Sequence, residues 1–96
     1  MTAPISDIEA EKKLQQLNKW NLYSGKLVKE YAFSDFNVAM KFVNKIADLA
    51  EREGHHPEII ISYNKVKIEL ITHSIGGLSE NDFILAAKID NILKTE

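Results

Sequence analysis

Ile59-Ile60-Ile61-Ser62-Tyr63-Asn64-Lys65-Val66-Lys67-Ile68-Glu69-Leu70-Ile71-Thr72 is the stretch from which the architecture can be read. Two runs rich in β-branched residues flank Asn64-Lys65. A two-residue loop suits a tight hairpin, and Asn tolerates the positive φ such a turn requires. This reading opposes Tyr63 to Val66, Ile61 to Ile68, Ile59 to Leu70 and, further out, His56 to His73. It puts Ile59, Ile61, Tyr63, Val66, Ile68 and Leu70 on one face. The other face carries Glu58, Ile60, Ser62, Lys67, Glu69 and Ile71. The first set is wholly apolar or aromatic and the second is mixed. A slip of one residue would scramble that separation.

Working outward, Gly54 is the expected C-cap of a long helix that opens at Ser34-Asp35 and runs to Glu53. Phe36, Met40, Val43, Ile46, Ala47 and Ala50 form its expected inner stripe, with Ala39 along it and Phe42 beside it. Upstream, Trp20–Tyr23 and Lys26–Phe33 read as two strands around Ser24-Gly25. Ser6-Asp7-Ile8-Glu9 is a capping box for a first helix reaching about Leu17, with Ile8, Leu14 and Leu17 inward. Downstream, Ser74-Ile75-Gly76-Gly77 is a turn, and Ser79-Glu80-Asn81-Asp82 opens a third helix. Leu85, Ala86, Ile89, Ile92 and Leu93 should face inward there. The expected fold is α+β, in the order α-β-β-α-β-β-α. It is a single two-layer domain over residues 1–96, a four-stranded antiparallel sheet with three helices packed on one face. The uncovered sheet face, with Val28, Ile60 and Ile71, is an expected seat for a partner subunit.

The hairpin gathers the chain's three histidines, His55, His56 and His73, at its open end. Opposed residues share a face with Cβ atoms roughly 4.5–5.5 Å apart. An isolated surface histidine usually carries no role. Here all three converge at strand ends, beside Pro57 and a Gly-rich turn, where loops carry function. A three-histidine metal site is an alternative, but adjacent side chains on an extended chain point apart. Proton transfer is the better use, because imidazole exchanges protons near neutral pH. Imidazoles with no nucleophile beside them suit an elimination or tautomerisation better than a hydrolysis. Asp82 completes a Ser-x-x-Asp cap, and its carboxylate can also orient a histidine. Glu51, one helical turn before His55, reads as a helix-surface residue. Trp20 reads as a core or interface aromatic.

Composition narrows the remaining classes. Hydrophobic residues make up 45% of the chain and the net charge is −2. That excludes a disordered segment and a global basic field for nucleic acid. No apolar run approaches the roughly 18 residues of a membrane span, and the start of the chain shows no signal-peptide pattern. Absence of cysteine excludes disulfides and thiolate chemistry. It is compatible with a reducing cytoplasm.

Glu51-x-x-x-His55-His56-Pro57, Tyr63-Asn64-Lys65-Val66, Thr72-His73 and Gly77-Leu78-Ser79-Glu80-x-Asp82 together resemble pterin-4a-carbinolamine dehydratase. The resemblance extends across most of the chain, including Trp20 and Phe33-x-Asp35-Phe36. It departs from the family pattern at Ile59-Ile60, Ser74 and Ile75. It implies the same four-stranded sheet with three helices. It also implies dehydration of 4a-hydroxytetrahydrobiopterin to quinonoid dihydrobiopterin in tetrahydrobiopterin recycling, without metal or organic cofactor. His55 and His73 are then the acid–base residues and His56 mainly holds the pterin. Gly54, Ile71, Thr72 and Ser74 line the site through backbone groups, with Asp82 and Glu51 in support. The implied partners are the pterin substrate, further copies in a homodimer or homotetramer, and, for some members, a homeodomain transcription factor for which the protein is a dimerisation cofactor. A non-catalytic binding module is therefore the alternative to an enzyme. The expected localisation is cytoplasmic, extending to the nucleus where such a partner is served.

Overall fold

The structure, a computed structural model, describes residues 3–94; the ends of the expected domain, residues 1–2 and 95–96, lie outside the described residues. Its elements are α1 (Asp7–Leu14), β1 (Asn21–Tyr23), β2 (Lys26–Ala32), α2 (Phe36–Glu53), β3 (Glu58–Ser62), β4 (Lys65–Leu70), a 3₁₀ turn (His73–Ile75) and α3 (Glu80–Lys94). The four strands form one antiparallel sheet in the order β1-β2-β4-β3. This is the expected α+β order. Leu27 and Tyr31 of β2 and Val66, Ile68 and Leu70 of β4 are buried. They meet Ala39, Phe42, Ile46 and Leu49 of α2 and Phe83, Leu85, Ala86 and Ile89 of α3 in one core. Tyr31 and Phe33 both stack against Phe42, with ring centroids 4.8 and 5.1 Å apart. The opposite sheet face is bare and charged. Lys26 reaches Glu69 at 3.2 Å, and Lys67 reaches the same carboxylate at 3.4 Å.

Each helix starts where its capping chemistry allows. Ser6 Oγ accepts the Glu9 N–H at 3.2 Å, and an Asp35 carboxylate oxygen accepts the Val38 N–H at 2.9 Å. These bonds satisfy N–H groups that have no partner within the helix. Gly54 closes α2 in the left-handed conformation, φ 65°. Glycine enters that region without steric cost.

The hairpin register differs from the expected one by two residues. Ile61 pairs with Val66, Ile59 with Ile68, and Ser62 with Lys65. The loop is therefore Tyr63-Asn64, with Tyr63 at φ 51°. A shift of two keeps every side chain on its face, so Ile59, Val66, Ile68 and Leu70 stay on the core side, while Ile61 on the edge strand is 39% exposed and Tyr63 leaves the set, 66% exposed in the turn. The cause is not local. Asn64 is engaged by the end of β2: its carbonyl accepts the Phe33 N–H and its side-chain amide donates to the Phe33 carbonyl, both at 2.8 Å. That pair of bonds fixes Asn64 in the loop. The expected opposition of His56 and His73 goes with the register, since β3 begins only at Glu58.

Two stripes also differ. In α2 the buried residues are Ala39, Phe42, Ile46, Leu49 and Ala50, while Phe36 and Ala47 are exposed. The helix faces both the sheet and α3, which rotates its buried arc toward Phe42 and Leu49. Helix α1 ends at Leu14, and Ile8 is 72% exposed. Ala10 is its only buried residue, and Ile5 and Leu14 pack partly beside it. In α3, Phe83 joins the core and Leu93 faces solvent.

Candidate active site

Three chain segments meet at the end of the sheet where β3 begins and β4 ends. The first is the exit of α2. Gly54 and His55 both donate their backbone N–H to the Ala50 carbonyl, which folds the chain back after Glu53. Pro57 then keeps His56 extended. The second is the loop after β4. Thr72 and Gly77 exchange backbone hydrogen bonds at 3.0 and 3.4 Å, pinching off the 3₁₀ turn that His73 opens. The third is the start of α3, where Asp82 turns inward.

Asp82 is the only fully buried charged side chain among the described residues. One carboxylate oxygen, Oδ2, accepts from the Thr72 hydroxyl at 2.8 Å and from the Ser79 N–H at 2.9 Å. The Ser79 bond is the reciprocal half of the capping box read in the sequence. The other oxygen, Oδ1, lies 2.5 Å from His55 Nε2. An ionised carboxylate only accepts, so Nε2 carries the proton and Nδ1 is left as the basic nitrogen. The Thr72 and Ser79 hydroxyls are 2.7 Å apart and complete the network. Every polar atom of Asp82 is thus paired, which is the condition under which a buried carboxylate is tolerated. Both roles read for Asp82 from sequence, cap and histidine partner, are present.

His56 turns the other way. Its Nε2 lies 2.5 Å from Glu51 of α2, and both side chains are largely exposed, at 63% and 77%. Glu51 is therefore a partner of His56 and not merely a helix-surface charge. His73 stands exposed on the 3₁₀ turn, next in sequence to Thr72. Thr72 and Ser74 line a cleft of about 310 Å³ together with Ile75, Ser79, Glu80 and Asn81. Ile71 lines a different cleft with Gly76 and the N-terminal segment. The structure thus joins His55, Asp82, Thr72 and Ser79 in one network, holds His56 and Glu51 as a separate pair, and puts His73 one residue after Thr72; the cleft of Thr72 and Ser74 is lined by none of the three histidines. Ser79, Glu80, Asn81 and Ile75 were not read as site residues. The Ser-x-x-Asp spacing and the Gly77-Leu78-Ser79-Glu80-x-Asp82 motif are the sequence signals for Ser79 and Glu80. Among the described residues, no group of three His, Asp or Glu side chains converges as metal ligands.

Fold and site define a class: a small α+β protein carrying two histidine–carboxylate pairs, His55–Asp82 and His56–Glu51. Comparison with known proteins sharpens this. The profile of a family described as pterin 4 alpha carbinolamine dehydratase matches residues 3–92. A protein of Acidobacterium capsulatum named for that dehydratase is 49% identical over 91 residues, covering 95% of this chain and 99% of the relative. One of Nitrosospira multiformis is 49% identical over 92 residues, covering 95% of this chain and 80% of the relative. The crystal structure of a transcriptional coactivator/pterin dehydratase from Brucella melitensis superposes with a TM-score of 0.88 at 32% identity, over 93% of this chain and 97% of that one. A pterin dehydratase-like protein identified as a RuBisCO assembly factor in the α-carboxysome gives 0.66 at 27% identity, over 77% of this chain and 88% of that one. The chain belongs to the pterin-4a-carbinolamine dehydratase family, a family of hydro-lyases.

Proposed function

We propose that the chain dehydrates 4a-hydroxytetrahydrobiopterin to quinonoid dihydrobiopterin, in tetrahydrobiopterin recycling, with His55 and His73 exchanging the protons. The substrate carries a hydroxyl on C4a, next to N5–H. The C4a–O bond breaks as a proton reaches the hydroxyl. The N5 lone pair forms the C4a=N5 double bond, and N5 gives up its proton, so water is the only product besides the pterin. One imidazole must donate and another accept, and each is reset by solvent. General acid–base catalysis of this kind contributes typically about 10²–10⁴-fold.

The carrying observation is the His55–Asp82 hydrogen bond, whose carboxylate also accepts from Thr72 and Ser79, two of the residues that line a cleft with Ser74. Asp82 fixes the ring through Nε2, and Nδ1 is left to take the proton. His73, on the adjoining turn, serves the other step. Hydroxyls of Thr72, Ser74 and Ser79 and the Asn81 amide suit a polar bicyclic guest, for which the cleft volume is adequate. His56, held by Glu51, orients the pterin. No metal or organic cofactor enters the scheme. No helix of the described residues is long and apolar enough to cross a membrane; a cytoplasmic enzyme, assembled as a homodimer or homotetramer, accords with this reading.

The purified chain should accelerate loss of the carbinolamine absorbance well above the spontaneous rate, with saturation in substrate. A rate equal to the buffer control would defeat the proposal. A second reading, a binding module serving as a transcriptional dimerisation cofactor, is favoured by the coactivator name of the Brucella melitensis relative. It requires a complex that survives loss of His55 and His73.

A further inference from the structure

A second buried polar cluster lies along α3, away from the histidines. Asp90 Oδ1 accepts from Lys29 Nζ at 2.8 Å and from the Tyr31 hydroxyl at 2.6 Å. Asp90 Oδ2 accepts from Trp20 Nε1 at 3.0 Å. Lys29 also donates to the Asn18 carbonyl at 2.8 Å and lies 4.7 Å from the Tyr31 ring centroid. The Lys29 and Asp90 side chains are only 11% and 14% exposed. A desolvated ion pair adds little net stability compared with apolar residues of the same volume, so its value here is geometric.

The geometry connects the two ends of α3. Asp82 and Asp90 are eight residues apart, about 12 Å along the helix at 1.5 Å per residue. The apolar contacts of Phe83, Leu85, Ala86 and Ile89 hold α3 down, but such contacts are non-directional and do not fix its axial position. Directional bonds do: Thr72 holds Asp82 at the first turn, Lys88 ties the helix to Glu53 of α2, and the three hydrogen bonds on Asp90 anchor its C-terminal half to β2 and the Trp20 segment. His55 is positioned by the end of α2, whereas Asp82 rides on α3. The 2.5 Å contact between them therefore depends on where α3 is seated. We propose that Asp90 is a positioning residue for His55: clamped by Trp20, Lys29 and Tyr31, it sets the seat of α3 at which Asp82 reaches the imidazole. Its bearing on turnover rests on the dehydratase reading above; the seat itself does not.

The test uses the full chain with ¹⁵N-labelled histidine. Wild type should show a downfield imidazole N–H signal from the short His55–Asp82 bond. The paired replacement Lys29→Met with Asp90→Leu removes the ion pair while keeping apolar packing. With the buried Trp20 Nε1 and Tyr31 hydroxyl left without their acceptor it should melt below wild type but stay folded at the assay temperature, and it should lose that signal or move it upfield. Its kcat for carbinolamine dehydration should fall about 10–100-fold with KM nearly constant, as expected for misplacement on the order of 1 Å. Tyr31→Phe deletes one hydroxyl from the clamp and should shift the signal in the same direction by less. A His55 signal unchanged in both variants overturns the proposal. Absence of wild-type turnover would defeat the dehydratase reading alone, since the imidazole signal still reports on the clamp.

Discussion

Replacing Asp82 by Asn changes one atom and should disable the site through a change of tautomer. Asn offers one accepting oxygen and one donating NH₂. Two donors, the Thr72 hydroxyl and the Ser79 N–H, converge on Oδ2, so the Asn oxygen is held there. The NH₂ then faces His55 Nε2, which must become an acceptor, and its proton moves to Nδ1. The charge-assisted bond at 2.5 Å is lost. A hydrogen bond to a charged group contributes about 1.5–3 kcal/mol. At about 1.36 kcal/mol per factor of ten, that corresponds to a fall of roughly 10–150-fold in kcat. The stability lost should lower Tm by on the order of 10 °C in a domain of this size. Nitrogen-15 NMR of the imidazole reports the tautomer, and the dehydration assay reports kcat. A variant that keeps its proton on Nε2 and turns over like wild type refutes the argument.

Burial, and then the Asp90 carboxylate, hold the Tyr31 phenol far above its ordinary value. An unfolded chain ionises this group near pH 10 while the folded one does not. Stability is therefore intact below pH 10 and falls above it by about 1.4 kcal/mol per pH unit. Alkaline unfolding followed by circular dichroism should be delayed in Tyr31→Phe; an unchanged midpoint contradicts the assignment. Gly77→Ala places a methyl group 2.8 Å from Pro4 Cβ, beneath the Ile5–Leu78 hydrogen bond. Relief of that overlap should cost about 1–3 kcal/mol. The fall in Tm measures it, and an unshifted Tm would show that Pro4 moves freely. Glu51→Gln removes the charge beside an exposed His56, so kcat should stay within a few-fold of wild type while KM rises. A kcat loss as large as that of Asp82→Asn would move His56 into the proton-transfer chemistry.

Fold class was legible because its signals are local. The alternation in β3 and β4 and the caps at Ser6, Asp35 and Gly54 each act within a few residues. The hairpin loop was misplaced because its position is settled by Phe33, thirty-one residues upstream of Asn64. The inner stripe of α2 was read with the wrong phase because two neighbours, the sheet and α3, share that helix. At the site, Ser-x-x-Asp located Asp82, and its histidine partner could be named in kind. The divergence of His55 and His56 was also foreseeable, since adjacent side chains on an extended chain separate. What each ring meets required the third dimension. The clamp on Asp90 left no pattern in the sequence, because Trp20, Lys29 and Tyr31 lie 59–70 residues away from it.

The most direct trial of the account is the rate of carbinolamine dehydration by His55→Ala and His73→Ala, each shown to be folded by circular dichroism. Both should lose about 10²-fold or more of the catalysed rate, the usual weight of a general acid or base. Wild-type turnover in both folded variants would mean that the proton transfers occur elsewhere on the protein.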